Sequence, residues 1–189
     1  ITVATLGNAT DFGNQAALHQ AYATASNTTR GLFIGGEESA TEVNRIQYVT
    51  IASAGNATDF GDCSGTMQQM GGTSDWTTRA LYGGGKKNGS VGDTIEYITI
   101  ATTGNGTDFG DLTVARSTLG GCSNGVKGVF AGGNTGSVND TIDYITIATT
   151  GNAADFGNLS AATRYTTALA DATRGVIALG KSPSDSNIL

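Results

Sequence analysis

The feature that most constrains this chain is a four-fold internal repeat. Asp-Phe-Gly occurs at Asp11, Asp59, Asp108 and Asp155, at spacings of 48, 49 and 47 residues. Each triplet follows a Gly-Asn pair: Gly7-Asn8, Gly55-Asn56, Gly104-Asn105 and Gly151-Asn152. Near-identical apolar runs stand upstream, starting at Tyr48, Tyr97 and Tyr144, with Ile1-Thr-Val-Ala at the N-terminus. A second mark keeps the same period. A cation (Arg30, Arg79, Lys127, Arg174) opens a short apolar run that ends in glycine.

These runs are short, branched or aromatic, and bounded by turn residues, which predicts strands. Residues 14–25 look the most helical, but they are in repeat phase with 112–121, which does not, so they too are read as strand. In the third copy the four strands are expected near 116–122, 127–133, 141–149 and 154–159. The third of these is apolar on both faces, as suits a strand sandwiched between sheets. Four-stranded sheets at this period are the signature of propeller blades. Residues 155–189 and 1–10 together make 45 residues, nearly one repeat. The expectation is therefore a single all-β domain over 1–189. It is a four-bladed propeller with blades near 14–63, 64–112, 113–159 and 160–189 plus 1–13. N-terminal strands complete the C-terminal blade, because such closure removes open strand edges.

Composition narrows function. Ten Lys plus Arg against sixteen Asp plus Glu give a net charge of −6, which repels a polyanion and argues against nucleic acid. No run reaches 18 apolar residues, so no membrane insertion is expected. The chain opens at Ile1 with neither an initiator Met nor a signal peptide, so a processed product or an excerpt of something longer is expected. Cys63 and Cys122 are out of repeat phase and are expected to be free, mostly buried thiols. Seven sequons, at Asn8, Asn27, Asn56, Asn88, Asn105, Asn139 and Asn158, reflect the abundance of Asn, Ser and Thr.

Asp-Phe-Gly invites a kinase reading, but a kinase needs one copy, a catalytic loop and a far larger chain. Asn, Asp and Gly here read as turn residues, with Phe as a plug between blades. Calcium at these turns is the competing reading, though no EF-hand spacing is present. The repeated cations are expected to pair with a repeated carboxylate, the Asp of Asp-Phe-Gly being one candidate.

Ala115-Arg116, Gly132-Gly133, Tyr144 and Phe156 together resemble kelch repeats over the whole chain. Phe12, Phe60, Phe109 and Phe156 stand where kelch repeats have Trp, and the fourth copy reads Leu179-Gly180 instead of Gly-Gly. The wording around Tyr97 and Tyr144 also resembles repeats of tail-fibre-like proteins of marine bacteriophages. That resemblance implies a virion or extracellular surface and host attachment. In a propeller the first strand of each blade lines a central channel, so His19, Gln68, Arg116 and Arg164 are expected to point into it.

Positions where the repeats disagree are the candidates for recognition. The loops between second and third strands differ most; they contain Glu37 and Glu38 in one copy and Lys86 and Lys87 in the next. Trp76 is the only tryptophan, three residues before the cation, where the other copies have Asn27, Asn124 and Asp171. Aromatic rings stack on sugars, and Asp75 beside it accepts hydroxyl hydrogen bonds. The expected ligand-binding residues are thus Trp76, Asp75, Lys86, Lys87, Glu37 and Glu38. No metal or cofactor is expected; one histidine builds no copper site. The favoured function is a non-enzymatic module that binds a cell-surface glycan or receptor. The second class is an adaptor or decoration domain that assembles with itself or with other virion or fibre subunits. The third is a glycan hydrolase using a carboxylate pair, from Glu37, Glu38, Glu42 and Asp75 in predicted loops.

Overall fold

The computed structural model describes residues 7–17, 19–178 and 180–182. They form an all-β fold with no helix; of residues 14–25, read as strand, 19–20 and 23–25 are strand and 14–17 are not. Three four-stranded antiparallel sheets follow one another along the chain. The first comprises Ala23–Ser26, Arg30–Ile34, Arg45–Thr50 and Thr58–Asp62. The second comprises Gly71–Ser74, Arg79–Gly83, Thr94–Thr99 and Thr107–Asp111. The third comprises Gly120–Ser123, Lys127–Ala131, Asn139–Thr146 and Ala154–Thr163. A hairpin, Thr167–Ala170 with Gly175–Ala178, comes last. In each sheet the strands pair in sequence order. Among the described residues the fourth unit has two strands, and no contact closes a ring. The segments expected to complete it, 1–6 and 183–189, lie outside the described residues.

The second sheet is sandwiched as its third strand implied. Ala80, Tyr82, Ile98 and Ile100 face the first sheet, in one core cluster with Leu32, Ile34, Ile46 and Phe60. Leu81 and Ile95 join Phe109, Phe130, Ile145 and Ile147 of the third sheet in another. Phe60 and Phe109 are 2% exposed and plug these boundaries. Phe12 and Phe156 sit at the two ends of the array and are 41% and 59% exposed.

The boundaries share one joint. The carbonyl of Phe60 accepts from Gly104 N–H at 2.8 Å, that of Asp62 from Gly106 N–H at 2.8 Å, and Asn105 Oδ1 accepts from Asp62 N–H at 3.0 Å. The same three bonds recur from Phe109 and Asp111 to Gly151, Asn152 and Ala153, and from Phe12 and Asn14 to Gly55, Asn56 and Ala57. Asp-Phe-Gly and Gly-Asn are therefore two halves of an inter-sheet clasp. Gly61 lies at φ +147°, in a bulge of its own strand, where a Cβ would collide with the carbonyl of Gly104. The Asn oxygens are occupied by main-chain N–H groups, which supports the turn reading of this motif.

The repeated cations do not meet those Asp residues. Arg30 and Arg79 lie over Tyr48 and Tyr97, at 4.4 and 4.7 Å from the ring centroids. Each also donates to a carbonyl of the next sheet, Ile100 at 2.6 Å and Ile147 at 2.9 Å. A guanidinium is satisfied there by a π face and a carbonyl dipole, with no carboxylate involved.

Candidate functional site

The inner strands Ala23–Ser26, Gly71–Ser74, Gly120–Ser123 and Thr167–Ala170 pack against one another in that order. Two of these contacts are unusually close, because Gly72 lies against Thr24 and Gly121 against Gly72 with no room for a Cβ. Ser74 Oγ donates to Ser26 O at 2.7 Å, and Ser123 Oγ donates to Ser74 O. A second series of bonds runs alongside. Gln69 N–H donates to Ala21 O, Thr118 N–H to Gln69 O and Tyr165 N–H to Thr118 O, at 2.7–2.8 Å. Ala21, Gln69, Thr118 and Tyr165 all have left-handed backbone, φ between 56° and 60°. These in-phase, non-glycine left-handed residues went unnoticed in the sequence because nothing in their side chains marks them.

The fourth copy has Ala168 where Gly72 and Gly121 stand, so its strand meets a Cβ where the others approach closely. A cavity of about 460 Å³ opens among the four inner strands and the strand Arg30–Ile34. Its walls include Thr24, Ser26, Thr73, Ser74, Cys122, Ser123 and Leu169, with Trp76 at the hairpin end. Among the described residues, no Asp, Glu, Lys, Arg or His borders it.

None of His19, Gln68, Arg116 and Arg164 borders this cavity. The inner strands of the second and third sheets start at Gly71 and Gly120, after the left-handed residue, and that displaces all four into the preceding connection. His19 lies between Gln47 at 3.3 Å and Glu38 at 3.7 Å. Gln68 donates to Glu42 at 2.9 Å. Arg116 is fully buried, paired with Asp143 at 2.8 Å and donating to Gly132 O at 2.8 Å and Phe130 O at 3.2 Å. Arg164 exchanges main-chain bonds with Lys181 and lies over Tyr165.

Trp76 is 39% exposed and its hairpin differs from the others. Asp75 N–H bonds Arg79 O, as Asn27 N–H bonds Arg30 O and Asn124 N–H bonds Lys127 O. Asp75, not Trp76, is thus the counterpart of Asn27, Asn124 and Asp171, and the second hairpin is one residue longer than these three. Its carboxylate accepts from the N–H groups of Thr77, Thr78 and Arg79 at 2.6–2.9 Å and from Thr78 Oγ1. Burial opposes its charge, but these bonds outweigh burial and hold its pKa below the usual carboxylate range. It is a turn cap with its oxygens engaged, as Asn27, Asn124 and Asp171 are.

Lys86, Lys87, Glu37 and Glu38 sit elsewhere. The strand Arg79–Gly83 separates Trp76 from Lys86-Lys87, roughly 17 Å at 3.4 Å per residue, so they lie at opposite ends of the sheet. Glu37 accepts from Gln20 at 3.0 Å, and Glu38 pairs with Arg45 at 3.5 Å. Lys87 reaches Glu96 at 3.1 Å and Ser64 Oγ at 2.7 Å.

Glu96 belongs to a further repeated device. The third strands read Ile46-Gln47-Tyr48, Ile95-Glu96-Tyr97 and Ile142-Asp143-Tyr144, with one buried polar residue each. Those residues accept the N–H groups of Ala16, Ser64 and Thr113 at 2.8–3.1 Å, anchoring the connection that follows each Asp-Phe-Gly strand. A polar letter between Ile and Tyr in three copies was the available signal. The Ser64–Lys87–Glu96 cluster is the second sheet's version of this anchor, which gives its close Ser–Lys contact a structural account.

The chain matches no protein-family model, and a search of curated proteins finds no significant match.

Proposed function

We propose that the chain is a non-enzymatic binding module, a four-bladed kelch-like propeller that presents a glycan or receptor site on a virion or extracellular surface. The observation that carries this reading is the cavity shared by the four inner strands, with Trp76 at one end. The repeated polar residues are engaged in clasps, caps and anchors, whereas Trp76 stands outside the repeat. Ring closure is supported by two open ends of matching form. Phe156-Gly157 has the clasp geometry, with φ +135° at Gly157, and no described atom lies where a clasp partner would be. Residues 1–8, Ile-Thr-Val-Ala-Thr-Leu-Gly-Asn, match residues 98–105, which carry the receiving half of a formed clasp.

A glycan array probed with the labelled chain tests this function. Retention on a defined set of glycans is expected, lowered for Trp76→Ala. Silence across glycans and across intact cells would overturn it. The exposed apolar ends, including Ile51 and Phe156, favour one second reading, a subunit that assembles head to tail with its own copies. Sedimentation separates the two, since a closed ring stays monomeric and an open array grows with concentration.

A further inference from the structure

We infer that the cavity beside Trp76 is a site for an uncharged saccharide. The inference rests on the binding reading above and narrows it to one place and one ligand class. The cavity's 460 Å³ falls within the roughly 300–1,000 Å³ of small-ligand sites. Among the described residues its walls carry no side chain that is charged at neutral pH. A carboxylate, sulfate or phosphate entering it would lose water and meet no counter-charge, so anionic sugars are disfavoured. The walls instead carry hydroxyls. Thr24 and Ser26 are exposed at its rim. A saccharide supplies donors and acceptors to such groups without bringing charge.

The apolar half of the site is Trp76, in the lengthened hairpin. Trp76 has a left-handed backbone, φ +66°, a conformation that the next hairpin gives to Gly125. An aromatic residue held there is strained, and such strain gathers at ligand clamps. The indole lies against Gly125, where an added Cβ would come within 3.1 Å of Cε3, so only glycine leaves room for the ring. Asn27 Nδ2 braces the loop through Thr77 O at 2.9 Å. Leu169, 66% exposed, borders the same cavity. A braced indole beside hydroxyls fits a pyranose, whose C–H face packs on the ring while its hydroxyls reach the walls.

The chain's single tryptophan is the reporter. The full chain is titrated with the methyl glycosides of glucose, galactose, mannose and N-acetylglucosamine, with lactose and maltose, and with sialyllactose and glucuronic acid. A saturable emission change with at least one neutral sugar is expected, with charged sugars at least tenfold weaker. Thr24→Val, which keeps the indole, should weaken the neutral sugar several-fold at an unchanged melting temperature. No saturable response to any neutral sugar, or tighter binding of a charged one, overturns the inference. If glycan or cell binding then persists in Trp76→Ala, only the cavity assignment falls. If no binding is found on any surface, the binding-module reading falls with it.

Discussion

Gly104 N–H donates to the carbonyl of Phe60 at 2.8 Å, directly beside Gly61, whose missing Cβ is what lets the two strands meet. The same pairing joins Gly151 to Phe109 and Gly55 to Phe12. A sheet that buries both faces depends on its neighbours, so each clasp stabilises two sheets at once.

Alanine at Gly61 or Gly110 should therefore cost about 3 kcal/mol or more, from the strained φ together with a collision with main chain. Gly157→Ala discriminates the fourth clasp. Its φ of +135° resembles that of Gly110 at +142°, so the conformational part is shared. A closed ring predicts equal losses for Gly157→Ala and Gly110→Ala in urea unfolding. A clearly smaller loss at Gly157 would mean that the fourth clasp is open in solution.

Phe109→Ala should cost roughly 3–5 kcal/mol, since the ring is buried against Phe130, Ile145 and Ile147. That is a large share of a typical domain's roughly 5–15 kcal/mol. A loss under about 1 kcal/mol by thermal or chemical denaturation would refute the plug role.

The strands and repeats were legible because period, β-branched runs and turn residues all pointed the same way. The site was less so. Trp76 was visible as an exception, but the extra residue in its hairpin was not, because Asp75 and Trp76 compete for the same slot until hydrogen bonds fix the register. His19, Gln68, Arg116 and Arg164 were placed in the channel because the left-handed residues that start the inner strands later leave no mark in the sequence. Only Lys87 and Glu96 revealed how a loop cation is drawn to a buried anchor.

Glu96 gives the acid limb of stability. Burial raises its pKa, but Ser64, Tyr82 and Lys87 outweigh burial and hold it below the ordinary 4.5. Its folded pKa is depressed, so its contribution is present above the unfolded pKa near 4.5 and is lost as pH falls through the folded value. Glu96→Gln should fold, since Gln47 fills the same slot and accepts Ala16 N–H at 2.8 Å. The variant should be less stable at pH 7, and the gap should shrink as pH falls below 4.5 through the depressed folded pKa. Identical stability–pH curves would remove Glu96 from this role.

The two thiols should react at different rates, and the difference reports on the cavity. Both are free. Cys63 is buried beside the second sheet's anchor, and burial pushes its thiol up to about 12. Burial raises Cys122 as well, but Cys122 is only half-buried and borders the cavity with Trp76. Reactivity follows thiolate fraction and access, so one thiol should be modified in the native chain and the other only on unfolding. A maleimide at pH 8 is expected to label Cys122 first, with peptide mapping to confirm the site. Cys63 labelling should track the unfolded fraction in urea. Because Cys122 borders the same cavity as Trp76, its labelling should also perturb Trp76 emission, and a Cys122→Ser variant should show neither effect. Native labelling at Cys63 would refute its burial, and an adduct at Cys122 that leaves the indole signal unchanged would separate that thiol from the cavity.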